Sequence, residues 1–419
     1  MNFVSRLAVA AVLTGTAGSP LLAPAIAKEK PAAAASGAAN AKDLSKPVRE
    51  ALGKAQAAET AGDNAGALAA IRAAEAAGNL NPTDIFFISQ IKLGVANKLD
   101  DKVALEEAVK ASSESPFLPA TEKPKYLRNL AALALQRKDY ATATKTYEQL
   151  VLMTPEDPDI ILNLALLYSD QKQNAQAVAT LEKAIAAKKA KGEKAPEPWY
   201  RQRLKIAFDS KLAPATEAAA LAVVTDYPNP VNWYDALNLY RDSANADDQL
   251  NLDVFRLMHA VNAMGPDREW QEYSRLALEK GLPGEAKKIL DEGIASKKLT
   301  GTKPLEKEIS STAGKAITAD KASLPGLEKD AAKSPNGKAA LGTGDAYFGY
   351  GNYAKAAAMY QLAVTKSTGV DAATANLRLG AALAMAGDKA GATTALNAVQ
   401  ASPRAALAKY WLVYVGQKA

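Results

Sequence analysis

The sequence predicts an all-α protein built from repeated helical hairpins, and three observations support this prediction. From Val48 onward, apolar residues recur at spacings of three and four, which is the pattern of helices with one buried face. Turn-forming pairs such as Gly-Asp, Lys-Asp and Asn-Pro separate the helical blocks, while the alternating pattern of β-strands is nearly absent. Alanine is abundant and aromatic residues make up only 6% of the chain, which favours close packing of small side chains between helices.

The composition excludes several classes of functional site. The 419 residues include no Cys and a single His, which excludes a disulfide framework, a thiolate metal site and a multi-histidine metal centre. The one histidine, His259, lies in an apolar helical stretch, and we interpret it as a structural residue. No Gly-x-Ser-x-Gly nucleophile turn and no glycine-rich phosphate loop occurs. We therefore predict no metal site, no cofactor and no catalytic centre.

The N-terminus has the order of a secretory signal. Arg6 precedes an apolar run over 7–13, and the small residues Ala25-Ile26-Ala27 follow before Lys28. A membrane anchor is the alternative, but glycine and proline residues interrupt the run well short of the ~20 apolar residues that a bilayer span needs. We predict a signal peptide over 1–27, cleaved after its last alanine, and a periplasmic mature protein without stable membrane insertion.

Further segments follow the predicted signal peptide. Residues 28–46 are rich in Ala, Pro, Gly and Ser and hold almost no large apolar residue, so we expect a disordered linker. Helical repeats are predicted over 47–301, a degenerate helical repeat or a hinge over 302–336, and further repeats over 337–419. The apolar segment 410–415 predicts a helix that caps the last repeat, with a partner-docking strip as the alternative.

The helical blocks repeat with a period near 34 residues. Leu130-Ala131 returns as Leu164-Ala165, 34 residues later, and Trp199 is followed by Trp233 at the same distance. The C-terminal unit at Gly344 is answered by a second unit 36 residues later. Small residues at these recurring positions let helices approach closely, and larger residues fill the gaps. We assign the four tryptophans to one position of the repeat: Trp199, Trp233, Trp270 and Trp411.

This pattern resembles the tetratricopeptide repeat, whose signature is Trp-x2-Leu-Gly-x2-Tyr, then Ala-x3-Phe and Pro, at a period of 34. The units that carry the resemblance read Gly344-x2-Tyr347 with Ala356-x3-Tyr360, and Trp233-x2-Ala236-Leu237-x2-Tyr240. The resemblance implies a right-handed α-solenoid of helix-turn-helix units. We expect the units to start near Val48, Ile85, Pro124, Pro158, Pro196, Pro230, Asp267, Gly337 and Ala373.

In the tetratricopeptide family the first helix of each unit lines a groove, so the resemblance implies a peptide or protein partner. One subfamily clamps a partner's terminal carboxylate with Lys, Asn and Arg from three adjacent units. At the corresponding positions Arg128, Asn163 and Arg201 fit a clamp, whereas Ala132 and Glu197 do not. Nearby aromatic side chains are also candidates, because aromatic residues often anchor interfaces. The predicted partner-binding residues are Arg128, Asn163, Arg201, Tyr200, Tyr234 and Tyr240.

The charge pattern argues against a nucleic-acid partner. The formal net charge of +6 is small for this length, and acidic and basic residues alternate along most of the chain. We interpret the one dense basic run as a solvated loop, with a contact for an anionic surface as the alternative. That run contains Lys188, Lys189, Lys191 and Lys194.

We therefore expect an exported, non-catalytic scaffold of the cell envelope that binds a peptide or protein partner. The alternative is a peptidoglycan or glycan hydrolase that uses two carboxylates on a helical superhelix. In lytic transglycosylases, which look like such a superhelix joined to a lysozyme-like domain, the catalytic Glu precedes Ser and a Gly-Leu-Met-Gln segment lies downstream. Glu114-Ser115 is the single Glu-Ser pair here, and no such segment follows it. The sequence leaves the partner's identity and the oligomeric state open.

Overall fold

The computed structural model describes residues 39–400 and 403–418, and every regular element in them is helical. The predicted signal peptide and residues 28–38 lie outside the described residues. Among the described helices, none combines the length and the hydropathy that crossing a membrane requires. A short 3-10 helix, Ala41–Asp43, precedes 20 α-helices: α1 (Lys46–Thr60), α2 (Asn64–Glu75), α3 (Pro82–Leu99), α4 (Lys102–Glu114), α5 (Lys123–Gln136), α6 (Tyr140–Met153), α7 (Pro158–Asp170), α8 (Asn174–Ala190), α9 (Glu197–Asp209), α10 (Ala213–Asp226), α11 (Pro230–Ser243), α12 (Asp248–Ala260), α13 (Asp267–Glu279), α14 (Pro283–Ala295), α15 (Pro304–Lys333), α16 (Lys338–Gly349), α17 (Tyr353–Lys366), α18 (Ala372–Ala386), α19 (Lys389–Asn397) and α20 (Pro403–Gln417).

Consecutive helices pair into hairpins joined by short turns. The pairs are α1/α2, α3/α4, α5/α6, α7/α8, α9/α10, α11/α12, α13/α14, α16/α17 and α18/α19. Every predicted unit start lies at the N-cap or in the first turn of the first helix of a pair, from Val48 in α1 to Ala373 in α18. The predicted all-α fold of helix-turn-helix units is therefore confirmed.

The turns inside several hairpins share one arrangement, which explains the Gly-Asp and Lys-Asp pairs of the sequence. Gly62 and Gly387 have positive φ angles of 81° and 88°, a backbone region that glycine enters without steric cost. The next residue, Asp63 or Asp388, accepts a hydrogen bond from a backbone N–H of the second helix and so caps that helix. Asp139 caps α6 in the same way.

The described part of the chain divides into two compact units: unit 1 ends at Ala195 and unit 2 begins at Pro196. This division differs from the predicted boundaries at 302 and 337, because apolar residues on both sides of that segment belong to one core. In unit 1, each of the helices α1 to α8 packs on its neighbours along the chain. Such a unit is stabilised mainly by contacts between adjacent repeats.

Instead of the predicted degenerate repeat or hinge, residues 302–336 hold one long helix. α15 spans 30 residues and continues through Pro325. Proline lacks the N–H that would bond to the carbonyl four residues earlier, which weakens a helix interior. α15 packs on α13, α14, α16 and α17 through a few buried side chains such as Ile309 and Leu324. Tertiary packing thus keeps this segment helical where local signals alone predict an interruption.

Two glycines allow α14 and α16 to contact each other directly. A Cβ added to Gly349 would lie 2.7 Å from the Cβ of Glu285, and one on Gly284 would lie 2.2 Å from Tyr350 Cε1. A side chain at either position would therefore force the two helices apart. The close approach brings Glu285 beside the residues of α16 in the interior of unit 2.

The last helix of unit 2 packs on both ends of that unit. α20 contacts α18 and α19, which precede it, and also α10 and α12 from the first half of the unit. The Tyr240 hydroxyl donates to the Pro403 carbonyl at 2.6 Å, and Gln417 Nε2 donates to the Val224 carbonyl at 2.8 Å. The segment predicted as a cap therefore covers the last repeat. It also closes unit 2, because it connects the last repeat to the helices of the first half of the unit.

Three of the four tryptophans occupy the repeat position assigned to them. Trp199, Trp233 and Trp270 lie in the first turn of α9, α11 and α13. Trp411 lies in the middle of α20, so its assignment to the same position is wrong. Trp233 and Trp411 are buried, whereas the other two are half-buried.

The C-terminal end of the predicted linker is ordered. The Ser45 N–H donates to Asp84 Oδ1 at 2.9 Å, and Asn81 Nδ2 donates to the Asp43 carbonyl at 3.2 Å. Asp84 is completely buried, and a buried carboxylate needs such donors. The expectation of disorder is therefore wrong for residues 40–46, because polar contacts with α3 order a segment that has little apolar surface to bury.

Candidate partner-binding surface

In unit 1, α5 and α7 each expose a side that carries a predicted partner-binding residue. Positions spaced by three and four along a helix share one face. The opposite faces hold leucines such as Leu130 and Leu164, whose burial fixes both helices in the core. We call the exposed area the α5–α7 surface. Its side chains are exposed or half-buried, and it comprises Arg128, Asn129, Ala132, Leu162, Asn163 and Leu166.

Arg128 and Asn163 both act on the hydroxyl of Tyr147 in α6, Asn163 through a hydrogen bond and Arg128 through its charge. Burial raises the pKa of Tyr147, while the charge of Arg128 and a hydrogen bond with Asn163 oppose that rise. Arg128 Nη2 also lies 2.7 Å from Asp157 Oδ2, and Asp157 caps α7. The structure thus brings two residues of the predicted clamp together on adjacent repeats.

The third residue of the predicted clamp, Arg201, belongs to unit 2, so the predicted set is divided between the units. Arg201 Nε donates to Glu197 Oε1 at 2.9 Å, and Nη2 donates to Asn232 Oδ1 at 2.5 Å. Asn232 Nδ2 in turn donates to Glu197 Oε1 at 2.9 Å. The hydrogen bonds from Asn232 and Arg201 lower the pKa of Glu197. A carboxylate on its own helix therefore already neutralises Arg201.

The structure corrects the prediction for two of the three tyrosines. Tyr200 and Tyr240 are only 1% and 6% exposed, so they belong to the core of unit 2 and do not line an open groove. Burial and the charge of Asp226 raise the pKa of Tyr200. Tyr234 is half-buried, and its hydroxyl donates to Glu269 Oε1 at 3.2 Å. Repeat spacing puts an aromatic residue on the first helix but does not distinguish its packed face from its open face.

The interior of unit 2 contains charged side chains that the sequence analysis did not identify. Arg256 is 4% exposed, and its Nε and Nη2 donate to the two carboxylate oxygens of Glu285 at 2.9 and 2.8 Å. Its Nη1 donates to Asp345 Oδ1 at 3.0 Å. The Tyr273 hydroxyl donates to Glu285 at 2.6 Å, and the Tyr360 hydroxyl donates to Asp345 at 2.7 Å. Both carboxylates therefore accept hydrogen bonds from an arginine and a tyrosine.

Arginines of α18 and α20 extend this network. Arg378 Nε donates to Asp253 Oδ1, and its Nη1 donates to Asp345 Oδ2, both at 2.8 Å. Arg404 Nε lies 3.5 Å from Asp253 Oδ2. Burial opposes the charge of Arg256, but the neighbouring carboxylates outweigh it and raise the pKa of Arg256 well above its ordinary value. We call this network the ionic cluster, with three acids and three bases: Asp253, Glu285, Asp345, Arg256, Arg378 and Arg404.

A signal for the ionic cluster is present in the sequence. Asp253 and Arg256 interrupt the apolar run of α12 at a spacing of three, which puts both charges on one face of a buried helix. Buried charges require partners of opposite sign. The partners come from α14, α16, α18 and α20, and only the tertiary fold brings these helices together.

The side chains considered for catalysis are Glu114 and His259. Glu114 is exposed at the end of α4. His259 Nε2 lies 2.5 Å from Glu292 Oε2, and its ring meets the Trp270 ring edge-on. The cavity beside the ionic cluster has room for about one water molecule. Within residues 39–400 and 403–418, no group of three or more His, Asp or Glu side chains is arranged to hold a metal ion.

A family model described as a tetratricopeptide repeat matches residues 134–191, from the end of α5 through α8. No curated protein matches the sequence. Among solved structures, the chain is similar to a tetratricopeptide repeat protein from Parabacteroides merdae, with 12% identity over 81% of this chain and 100% of that one, at a TM-score of 0.23. The TPR domain of P58(IPK) shows 13% identity over 81% and 98%, with a TM-score of 0.23. Naa15/Naa10 bound to HypK-THB shows 14% identity over 86% and 65%, with a TM-score of 0.30.

Proposed function

Because this chain carries tetratricopeptide repeats, we propose that it is an exported, non-catalytic scaffold that binds a peptide or protein partner in the cell envelope. The repeat is an interaction fold, in which stacked hairpins present one extended surface to a partner. The observation that carries the proposal is the α5–α7 surface, where Asn163 and the charge of Arg128 both act on the Tyr147 hydroxyl and where Leu162 and Leu166 are half-buried.

The α5–α7 surface has the chemistry of a peptide-binding site. Arg128 is 52% exposed, and its ion pair with Asp157 is partly solvated. Such an ion pair contributes only about 0–1 kcal/mol, so a partner carboxylate can replace Asp157 at little cost. Asn163 adds an amide with donor and acceptor atoms, and the two leucines add apolar contact area.

Export is supported by the charged, apolar and small-residue order of residues 1–27, which lie outside the described residues. The absence of cysteine is compatible with an oxidising compartment. A fusion of residues 1–27 to a reporter enzyme that is active only outside the cytoplasm tests this part. We expect reporter activity with the native segment and a large loss when Arg6 and the apolar run are replaced. Full activity of the disrupted segment would argue against export.

The binding part is tested with two matched arginines of unit 1. Arg128 and Arg137 are 52% and 47% exposed, and each forms a 2.7 Å ion pair, with Asp157 and Glu106 respectively. We expect Arg128→Ala to weaken the binding of envelope-derived peptides, displayed as an array, by tenfold or more. Arg137→Ala should leave binding unchanged. If the two substitutions have equal effects, the α5–α7 surface is not the binding site. Digestion of purified cell wall by the protein would contradict a non-catalytic role.

A further inference from the structure

We propose that α10, α11 and α12 of unit 2 form a helix-binding site. In this chain α20 occupies the site, which also accepts a partner helix of matching chemistry. This inference rests on the proposed scaffold function and names a second binding site, separate from the α5–α7 surface. It follows from three properties of α20: its broad buried face, the contacts along its length and the charge that it supplies to the ionic cluster.

α20 buries one broad face. Leu407, Tyr410, Trp411 and Tyr414 are 6% exposed or less and share this face at spacings of three and four, and the buried Ala408 and Val415 widen it. α18 and α19 cover one side, as in any stacked repeat, and α10 and α12 cover another. The contact with α10 and α12 is not needed to cap the last hairpin. Through this contact, α20 binds to repeats that are far from it in the sequence.

The contacts of α20 with the first half of unit 2 extend from one end of the helix to the other. At its start, the Pro403 carbonyl accepts a hydrogen bond from Tyr240 at 2.6 Å. In its middle, Lys409 Nζ lies 2.9 Å from Glu217 Oε1, and at its end Gln417 bonds to Val224. Between these polar contacts, the Tyr410 ring centroid lies 6.0 Å from Trp233 and 6.2 Å from Tyr240.

The charge of α20 completes the ionic cluster. Without Arg404, the cluster retains three carboxylates and only the guanidinium groups of Arg256 and Arg378. Asp253 Oδ2 is buried without a hydrogen bond, and Arg404 Nε is the cationic atom that lies 3.5 Å from it. Asp253 would still pair with Arg378, but three carboxylates would then share two guanidinium groups, and buried charge that is not compensated is strongly unfavourable. The site therefore selects a helix that carries a cation in its first turn.

These features define the partner. It is an amphipathic helix with an arginine in its first turn and aromatic residues six, seven and ten residues later, as in Arg404, Tyr410, Trp411 and Tyr414. Because α20 is attached to the site that it fills, its effective concentration there is high and it excludes a free competitor. Weakening the hold of α20 should therefore open the site to a helix supplied separately.

The test uses the full chain and a fluorescent peptide of residues 398–418, with binding measured by fluorescence anisotropy. We expect Trp411→Ala in the chain to bind this peptide at least tenfold more tightly than the unaltered chain does. The peptide should also restore part of the thermal stability that the variant loses. An Arg404→Ala peptide should bind at least tenfold more weakly than the native peptide. A Lys409→Ala peptide, which loses a solvent-exposed ion pair instead, should bind nearly as well as the native peptide.

A second chain variant covers the case in which Trp411→Ala does not fold. Tyr410→Leu removes the ring contacts with Trp233 and Tyr240 that hold α20 and keeps an apolar side chain in the site. Circular dichroism identifies which variant retains its helix content. If a folded variant fails to bind the peptide, or binds the native and Arg404→Ala peptides equally, the proposal is wrong. The assay uses no partner of the α5–α7 surface, so this inference and the proposed function can fail separately.

Discussion

Gly344 lies directly against the ring of Tyr360, since a Cβ on the glycine would come within 2.6 Å of Tyr360 Cε1. The ring is completely buried, and its hydroxyl donates to Asp345 at 2.7 Å. The glycine of the repeat signature therefore makes room for the second helix of its own hairpin. It also keeps a tyrosine in place that binds a carboxylate of the ionic cluster.

Replacing each of two glycines of α16 by alanine should change the free energy of unfolding in opposite directions. Gly344→Ala should lower the free energy of unfolding by about 1–3 kcal/mol, because the tightly packed Tyr360 ring must move. A Cβ on Gly342, in the same helix, would meet no heavy atom within 4 Å, so Gly342→Ala should raise stability by about 0.5–1 kcal/mol. Urea unfolding of both variants measures the difference. If Gly344→Ala is as stable as Gly342→Ala, the proposed role of the signature glycine is wrong.

Removing the central arginine of the ionic cluster should be costly. Arg256→Ala leaves Glu285 and Asp345 without their shared cation in a buried site, and we expect a loss of about 3–5 kcal/mol. Arg275 is the control, because it is 39% exposed and its 2.5 Å ion pair with Glu279 lies on one helix. Its replacement by alanine should cost less than about 1 kcal/mol. Equal losses in chemical denaturation would show that burial does not determine the value of these ion pairs.

The closing contact of α20 should contribute strongly to the stability of unit 2. Tyr410 is 1% exposed and packs on Trp233 and Tyr240, so Tyr410→Ala should cost about 3–5 kcal/mol. The fluorescence of buried tryptophan should change at the same time. Tyr140→Ala serves as the comparison, because Tyr140 is 39% exposed. A melting temperature of Tyr410→Ala equal to that of Tyr140→Ala would be incompatible with a stabilising closure.

Stability should depend on Tyr168 at alkaline pH. Burial, followed by the hydrogen bond to Glu148, raises the pKa of Tyr168 from 10.0 to about 12. The folded state therefore holds this proton more tightly than the unfolded state. The resulting stabilisation is fully present below pH 10 and is lost as the pH rises from 10 to 12. The measurement is the urea midpoint of the unaltered chain and of Tyr168→Phe across this range.

The phenylalanine variant separates Tyr168 from the other tyrosines of the chain, because it keeps the ring and lacks the titrating hydroxyl. We expect the stability of the unaltered chain to fall more steeply than that of Tyr168→Phe over this pH range. Parallel curves for the two proteins would mean that Tyr168 ionises no differently in the folded and unfolded states.

Repeat spacing predicts much of the candidate surface, but it does not predict which side chains are accessible. The register of the repeat puts Arg128 and Asn163 on first helices, and the structure brings both to Tyr147. The same register puts Tyr200 and Tyr240 on first helices, where they are buried. A helix position follows from local periodicity, whereas exposure depends on which other helices cover that face. For Tyr240, the covering helix is α20, which begins 163 residues later.

The helices, their hairpins and the repeat period follow from the amino-acid sequence alone, because each depends on residues within one repeat. Asp63 and Gly62 specify a turn through local hydrogen bonding and a positive φ angle, with no distant partner. The closure of unit 2 on itself and the charges in its interior emerge only when the helices are packed together. Those features require Arg378 to meet Asp253, 125 residues away, and Arg404 to reach the same carboxylate. Contacts at such separations depend on how the repeats stack, which no single repeat encodes.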